Sequence, residues 1–195
     1  TNKILAKVIV DHDSPFLKTI IINKGSSDKI KIGTNIFDKD YLIGRVIEVN
    51  YKSSRVLLLS DLNSSVPVSI IPGNIQAIVI GDGGVSGEIK YVKDNLIEDI
   101  KNQSIVYTSG SGSIFKSGSP IGRIDIEEKN TIVNFYSDFT QLKYVFVEVD
   151  QSIIEDKVTN NQTVSSLNES NGKTQINTEK IKLDILSDEK AILIE

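Results

Sequence analysis

The chain contains no cysteine, no methionine and no tryptophan, and only one histidine, His12. Lack of cysteine excludes disulfides, thiolate zinc sites and a cysteine nucleophile. A single histidine leaves His12 alone to carry any imidazole chemistry. No apolar run reaches the roughly 18 residues that a membrane-spanning helix needs, and no signal-peptide pattern opens the chain. It begins at Thr1. A start of that kind is expected of a segment of a longer protein, with any membrane anchor or leader upstream. Basic excess is lacking too: net charge is −4 at pH 7. Beyond Asp150, five lysines face eight carboxylates, so the earlier residues are close to neutral and lack the electrostatic footprint of a nucleic-acid binder.

Short runs of Ile, Val, Leu and Tyr recur about every ten residues, separated by Gly, Ser, Asn, Asp or Pro, which is the pattern of an all-β sandwich or barrel. The runs predict strands over 4–10, 19–23, 34–37, 42–49, 55–59, 66–71, 76–80, 87–92, 104–108, 121–127, 131–136 and 144–149. One short helical turn is expected at 138–141, where Asp138 and Gln141 fit a capping box.

An internal repeat organises these strands. Residues 30–37 (IKIGTNIF) align with 100–107 (IKNQSIVY), and each copy is followed by a shared signature, Ile43-Gly44-Arg45-Val46 and Ile121-Gly122-Arg123-Ile124. Recurrence of Arg45 and Arg123 suggests a shared structural duty, such as bonding a turn carbonyl. The copies differ in their loops. Six residues separate Ile36 from Ile43, and fourteen separate Val106 from Ile121. The expected fold class is therefore all-β: two small β-barrel domains packed together, with one short helical turn and a flexible C-terminal tail. Expected boundaries are 1–71 for the first barrel and 72–152 for the second, with the pairing of strand 144–149 left open between the two barrels. A polar, Asn/Ser/Thr/Gln-rich linker is expected over 153–179, and an apolar terminal segment, read as a hairpin, over 180–195.

The longer loop, YTSGSGSIFKSGSPIGRI at 107–124, is the most suggestive stretch chemically. It does not complete a phosphate-binding G-x-x-x-x-G-K-[ST] loop, because Phe115 precedes Lys116 and a strand follows. It contains no G-x-S-x-G elbow. A double-β-barrel serine hydrolase stays open only as a His12, Asp61 or Asp82, Ser109 or Ser111 combination with no local motif behind it. Asp11, His12 and Asp13 alternate faces in an extended strand, so at most two of them could share a metal ion. A small-barrel ligand or oligonucleotide binder is the other alternative, through the lysine-rich first unit, although few aromatics interleave those lysines. No catalytic residue, metal site or cofactor is expected. Apolar residues in polar loops stand out instead: Phe16 after Ser14-Pro15, and Ile114 and Phe115 within the long loop. These three are the candidate partner contacts.

Several motifs occur in an order that resembles the bacterial rod-shape-determining MreC family. They are Asp11-His12-Asp13-Ser14-Pro15-Phe16, the run 19–26, Gly33, the run 42–46, the run 53–68, and 106–110 followed by Phe115, Gly118 and 120–123. The resemblance covers residues 6–149. Ser60 stands where the family often has threonine, and Ser113 where glycine is common. The resemblance implies a non-catalytic scaffold of the cell-elongation peptidoglycan machinery that maintains rod shape. It implies residence at the periplasmic or extracytoplasmic face of the cytoplasmic membrane, attached by an N-terminal helix outside this chain. Implied partners are a class B penicillin-binding transpeptidase, MreD, RodA and, indirectly, MreB, together with self-association as a dimer or filament. Nucleic acid is not an implied partner.

Overall fold

A computed structural model describes residues 2–13, 17–127 and 130–149. The linker expected over 153–179, the segment expected over 180–195 and Phe16 lie outside the described residues, as do the side chains of residues 10–13. Twelve strands run in chain order: β1 (Asn2–Asp13), β2 (Lys18–Ile22), β3 (Asn35–Asp38), β4 (Tyr41–Val49), β5 (Ser54–Leu58), β6 (Ser65–Ile71), β7 (Ile75–Gly81), β8 (Ser86–Val92), β9 (Ile105–Thr108), β10 (Pro120–Glu127), β11 (Asn130–Phe135) and β12 (Tyr144–Val149). Alternation of residue type gives each strand one inward face. In β7, Ile75, Ala77, Val79 and Gly81 are buried and the residues between them are not.

The strands close into two six-stranded antiparallel barrels, β1-β12-β3-β4-β5-β2 and β10-β11-β8-β7-β6-β9. Closure removes the unpaired edges that would otherwise invite aggregation. β6 pairs with β7 and β9, so it belongs to the second barrel, and the boundary expected at 71 falls earlier, in the turn after β5. β12 pairs with β1 from Asn2↔Val149 to Lys7↔Tyr144 and with β3 at Phe146↔Phe37. The second barrel is thus inserted within the first. Polypeptide crosses between them twice, at 59–64 and at 136–143.

Both crossings are fastened. In the first, Asp61 is fully buried; its Oδ2 accepts from the Lys18 amide at 2.5 Å, and its Oδ1 accepts from Asn63 N and Nδ2 at 2.7 and 2.9 Å. In the second, the Tyr136 ring lies 4.6 Å from that of Tyr41 in the first barrel, and its amide donates to Ile121 O at 3.0 Å. A single 3₁₀ turn at Phe139–Gln141 follows, with the Asp138 carboxylate accepting from Thr140 N at 2.9 Å. A second 3₁₀ segment, Lys93–Asp99, connects β8 to β9 and carries no sequence pattern that predicts it.

The repeated Ile-Gly-Arg signature has a structural explanation in both copies. The β3–β4 register shifts at Ile43, and the β9–β10 register shifts at Ile121. Each is a β-bulge, an extra residue that breaks alternation and re-aims side chains. Ile43 and Ile121 are nonetheless buried, at 0% and 1% exposure, and β4 lies against β10. The bulged isoleucines thus help form the seam between the barrels. The following glycines are required by close approach: a Cβ on Gly44 would come within 2.2 Å of Leu57 O, and one on Gly122 within 2.3 Å of Asn134 O. The arginines do not share the carbonyl bond expected of them. Arg123 Nε donates to the Tyr136 hydroxyl at 3.2 Å, and among the described residues neither arginine bonds a turn carbonyl.

Candidate functional site

The long loop between β9 and β10 is the element that the first barrel lacks. Between β3 and β4 the corresponding turn is only Lys39 and Asp40. Closing a barrel therefore does not require the longer version. Its conformation is nevertheless well defined by hydrogen bonds. Thr108 Oγ1 donates to Lys116 O at 2.5 Å and accepts from Ser119 N at 2.9 Å. Gly118 N donates to Thr108 O at 2.8 Å, and Ser109 N reaches Pro67 O at 3.0 Å. Gly110 begins the loop's 3₁₀ turn at Ser111–Ser113 with φ 79°, and a Cβ there would sit 2.9 Å from Ser117 Cβ. Only glycine meets both demands without strain.

The two apolar loop residues part company. Phe115 turns inward, is 4% exposed and joins the hydrophobic core. This corrects the expectation that its ring is offered to a partner. A buried phenylalanine stabilises the fold by roughly 1.5–3 kcal/mol relative to an exposed one, and here that gain secures a loop with few other apolar residues. Ile114 points the other way and is 40% exposed. Beside them, Lys116 Nζ reaches Glu148 Oε1 of the first barrel at 3.3 Å, while Asn35 Nδ2 donates to Glu148 Oε2 at 3.2 Å. The loop is thus tied to both barrels.

On its outer side the loop walls a cleft over β6, β7 and β8. One basin, of about 400 Å³, is lined by Pro67, Ile78, Tyr91 and Ile114 together with Gln76 and Ser109. An adjoining basin, of about 510 Å³, shares Gln76 and Ser109 and adds Ser69, Asn74, Tyr107 and Ser117. Sequence reasoning missed this cleft because it exists only where the later 109–118 loop folds back over the consecutive strands β6, β7 and β8, a long-range contact that no local pattern carries. The available signal was the length difference between the two repeat loops.

The serine-hydrolase alternative finds no support in the carboxylates it needs. Asp61 is occupied by Lys18 N and Asn63. Asp82 accepts from Gly84 N at 2.7 Å and from the Ser86 hydroxyl at 2.5 Å, which closes its own turn. The His12 side chain lies outside the described residues. Among those residues no group of three or more His, Asp or Glu side chains is placed to hold a metal ion, and no helix is long and apolar enough to cross a membrane.

Two closed six-stranded barrels, the second inserted in the sequence of the first and differing from it chiefly by a loop-walled cleft, define a double-barrel β module. The chain belongs to the MreC family: the family model described as rod shape-determining protein MreC, barrel core, matches residues 8–149. A cell shape-determining protein MreC from Caulobacter vibrioides is 37% identical over 117 residues, covering 60% of this chain and 33% of that protein. The Cereibacter sphaeroides counterpart is 30% identical over 142 residues, covering 72% of this chain and 46% of its own length. This chain therefore spans between a third and a half of these relatives. Among solved structures, MreC from Pseudomonas aeruginosa superposes with a TM-score of 0.69 at 27% identity, over 76% of this chain and all of that one. MreC from Helicobacter pylori, solved in complex with penicillin-binding protein PBP2, shares the fold at 13% identity with a TM-score of 0.56, over 75% of this chain and 96% of that one.

Proposed function

We propose that this chain is the barrel portion of a non-catalytic scaffold for cell-wall elongation, acting at the extracytoplasmic face of the cytoplasmic membrane. Its principal partner is a class B penicillin-binding transpeptidase, with MreD, RodA and, indirectly, MreB in the same assembly. Self-association as a dimer or filament multiplies its contacts by avidity.

Membership of the MreC family across 8–149 is the observation that carries this reading. Further support comes from the Helicobacter pylori relative, whose solved complex contains PBP2. The surface fits such a role. Leu5 and Tyr144 lie on neighbouring strands β1 and β12, each more than half exposed, and Ile114 is exposed on the long loop. Apolar side chains displayed on a closed barrel are the raw material of an interface. Of the three sequence candidates, Ile114 is the one proposed as a contact, and Phe115 supports it from below.

The reading is tested by immobilising the full chain and titrating the soluble transpeptidase ectodomain from the same organism. Saturable binding that is weakened by Leu5→Asp, Tyr144→Ser or Ile114→Ser is expected. Absence of binding with both proteins folded refutes the transpeptidase as a direct partner of the barrels.

A further inference from the structure

We propose that the cleft walled by residues 109–118 binds an uncharged oligosaccharide built of acetamido-bearing pyranoses. The two copies of the repeat differ most at this loop. The first barrel closes with a two-residue turn, so the additional residues of the second loop serve something other than closure. They are held in one shape by Thr108, by buried Phe115 and by the Lys116–Glu148 bridge. A rigid wall over a concave floor is the usual anatomy of a small-ligand site, and both basins fall within the roughly 300–1,000 Å³ typical of one.

The lining chemistry narrows the ligand. Among the described residues that line the two basins, Lys93 alone is charged and no carboxylate is present. Nucleotides, phosphorylated ligands and multiply charged peptides would meet too few counter-charges. A wholly apolar segment would fill the Pro67–Ile78–Ile114 basin but would strip water from the amides and hydroxyls of the other without replacing those bonds, which is costly. Pyranose rings satisfy both halves, because they present C–H faces to apolar surface and hydroxyl edges to polar groups. Tyr91 is 65% exposed on the cleft and offers such a stacking surface.

Acetamido substituents fit more closely than hydroxyls alone. Asn74 Oδ1 accepts from the Ser69 hydroxyl and from Gln76 Nε2, and Gln76 Nε2 also donates to Asn74 O. That leaves Asn74 Nδ2 to donate and Gln76 Oε1 to accept, the complement of an acetamido C=O and N–H. The acetamido methyl would pack toward Ile78 and Ile114. Among the described residues, the hydroxyls of Tyr107 and Ser117 have no side-chain hydrogen-bond partner, so both remain available. Ile114 belongs both to this site and to the proposed transpeptidase contact, whereas Tyr91 belongs to this site alone, so the two readings fail separately.

The test titrates the full, isotopically labelled chain with the β-1,4 tetramer of N-acetylglucosamine and, separately, with that of glucose, following amide resonances. Saturable shifts confined to residues around 74–78, 91–93 and 107–118 are expected for the acetamido tetramer. Glucose tetramer is expected to bind about fivefold or more weakly, and Tyr91→Ala to weaken binding about tenfold. Tyr51→Ala, in the exposed turn between β4 and β5 of the first barrel, is expected to leave affinity unchanged. No shifts at about 10 mM sugar, equal binding of both tetramers, or equal binding by folded Tyr91→Ala protein overturns the proposal.

Discussion

Removing the Asp61 carboxylate tests whether the first crossing between the barrels is fastened as described. Asp61 is inaccessible to solvent and accepts three hydrogen bonds, two of them from backbone amides. Asp61→Ala deletes every acceptor. Asn63 is exposed and recovers its bonds from water, whereas the Lys18 amide sits in a partly buried position at the start of β2. An orphaned buried donor costs about 1–3 kcal/mol, and losing a charge-assisted bond adds to this. Relief of the carboxylate's own desolvation offsets part of it. The net expectation is about 3 kcal/mol. For a unit of this size each kcal/mol lowers Tm by about 2–4 °C, so a fall of about 6–12 °C is expected. Asp61→Asn keeps one carbonyl acceptor and should lose about half as much. Calorimetry of the three proteins, with urea unfolding followed by far-ultraviolet circular dichroism, provides the comparison. A Tm loss under about 2 °C for Asp61→Ala, or equal losses for Ala and Asn, refutes the fastening role.

Phe115→Ala should destabilise by about 3–5 kcal/mol in urea unfolding, because it empties a core position, while Ile114→Ser on the outer side should change stability by less than about 0.5 kcal/mol. Gly122→Ala drives a Cβ into the Asn134 carbonyl, and overpacking of this kind costs about 1–3 kcal/mol; amide exchange should accelerate selectively along β10 and β11, and an unchanged exchange pattern would contradict the close approach. Asp28 donates nothing and accepts from Lys24 Nζ at 2.8 Å; that bond, with the Gly25 amide, holds its carboxyl below the ordinary value of 3.8. A lowered folded pKa means that the unfolded chain binds the proton more readily, so the contribution is complete well above pH 3.8 and fades as pH falls through the lower folded value. Asp28→Asn should therefore be less stable than the parent at neutral pH, with the difference closing in acid; a difference independent of pH would show that the charge is not involved.

Much of the fold is written in local pattern. All twelve strands coincide, within a few residues, with the alternating apolar runs, because a closed barrel forces one face of every strand inward. What local pattern does not carry is pairing. The runs at 66–71 and 144–149 look alike on both sides of a barrel boundary, and only their partners decide membership: β6 goes to the second barrel, β12 returns to the first. The loop residues Ile114 and Phe115 show the same limit at the candidate site. Adjacent and equally apolar, they differ only in which one the backbone points inward. That direction is set by hydrogen bonds from Thr108 and by left-handed Gly110, contacts that span the loop and are invisible in a window of sequence.

The repeat explains why function should concentrate on one side of this molecule. Two copies of one strand-loop-strand unit share the bulge at Ile43 or Ile121 and the glycine that follows it, and through these they meet at the seam. Those features are constrained in both copies, since each side of the seam needs its bulged isoleucine buried. The loops beyond are not constrained by the seam, and there the copies diverge: a two-residue turn in the first and a hydrogen-bonded wall in the second. A difference between two otherwise equivalent units, maintained by its own buried anchor and its own bridge to the neighbouring barrel, cannot be attributed to the requirements of barrel closure. The cleft that it creates is where the second barrel can do something the first cannot, which is why Tyr91→Ala and Tyr51→Ala, similar substitutions at similarly exposed positions, are expected to give different answers.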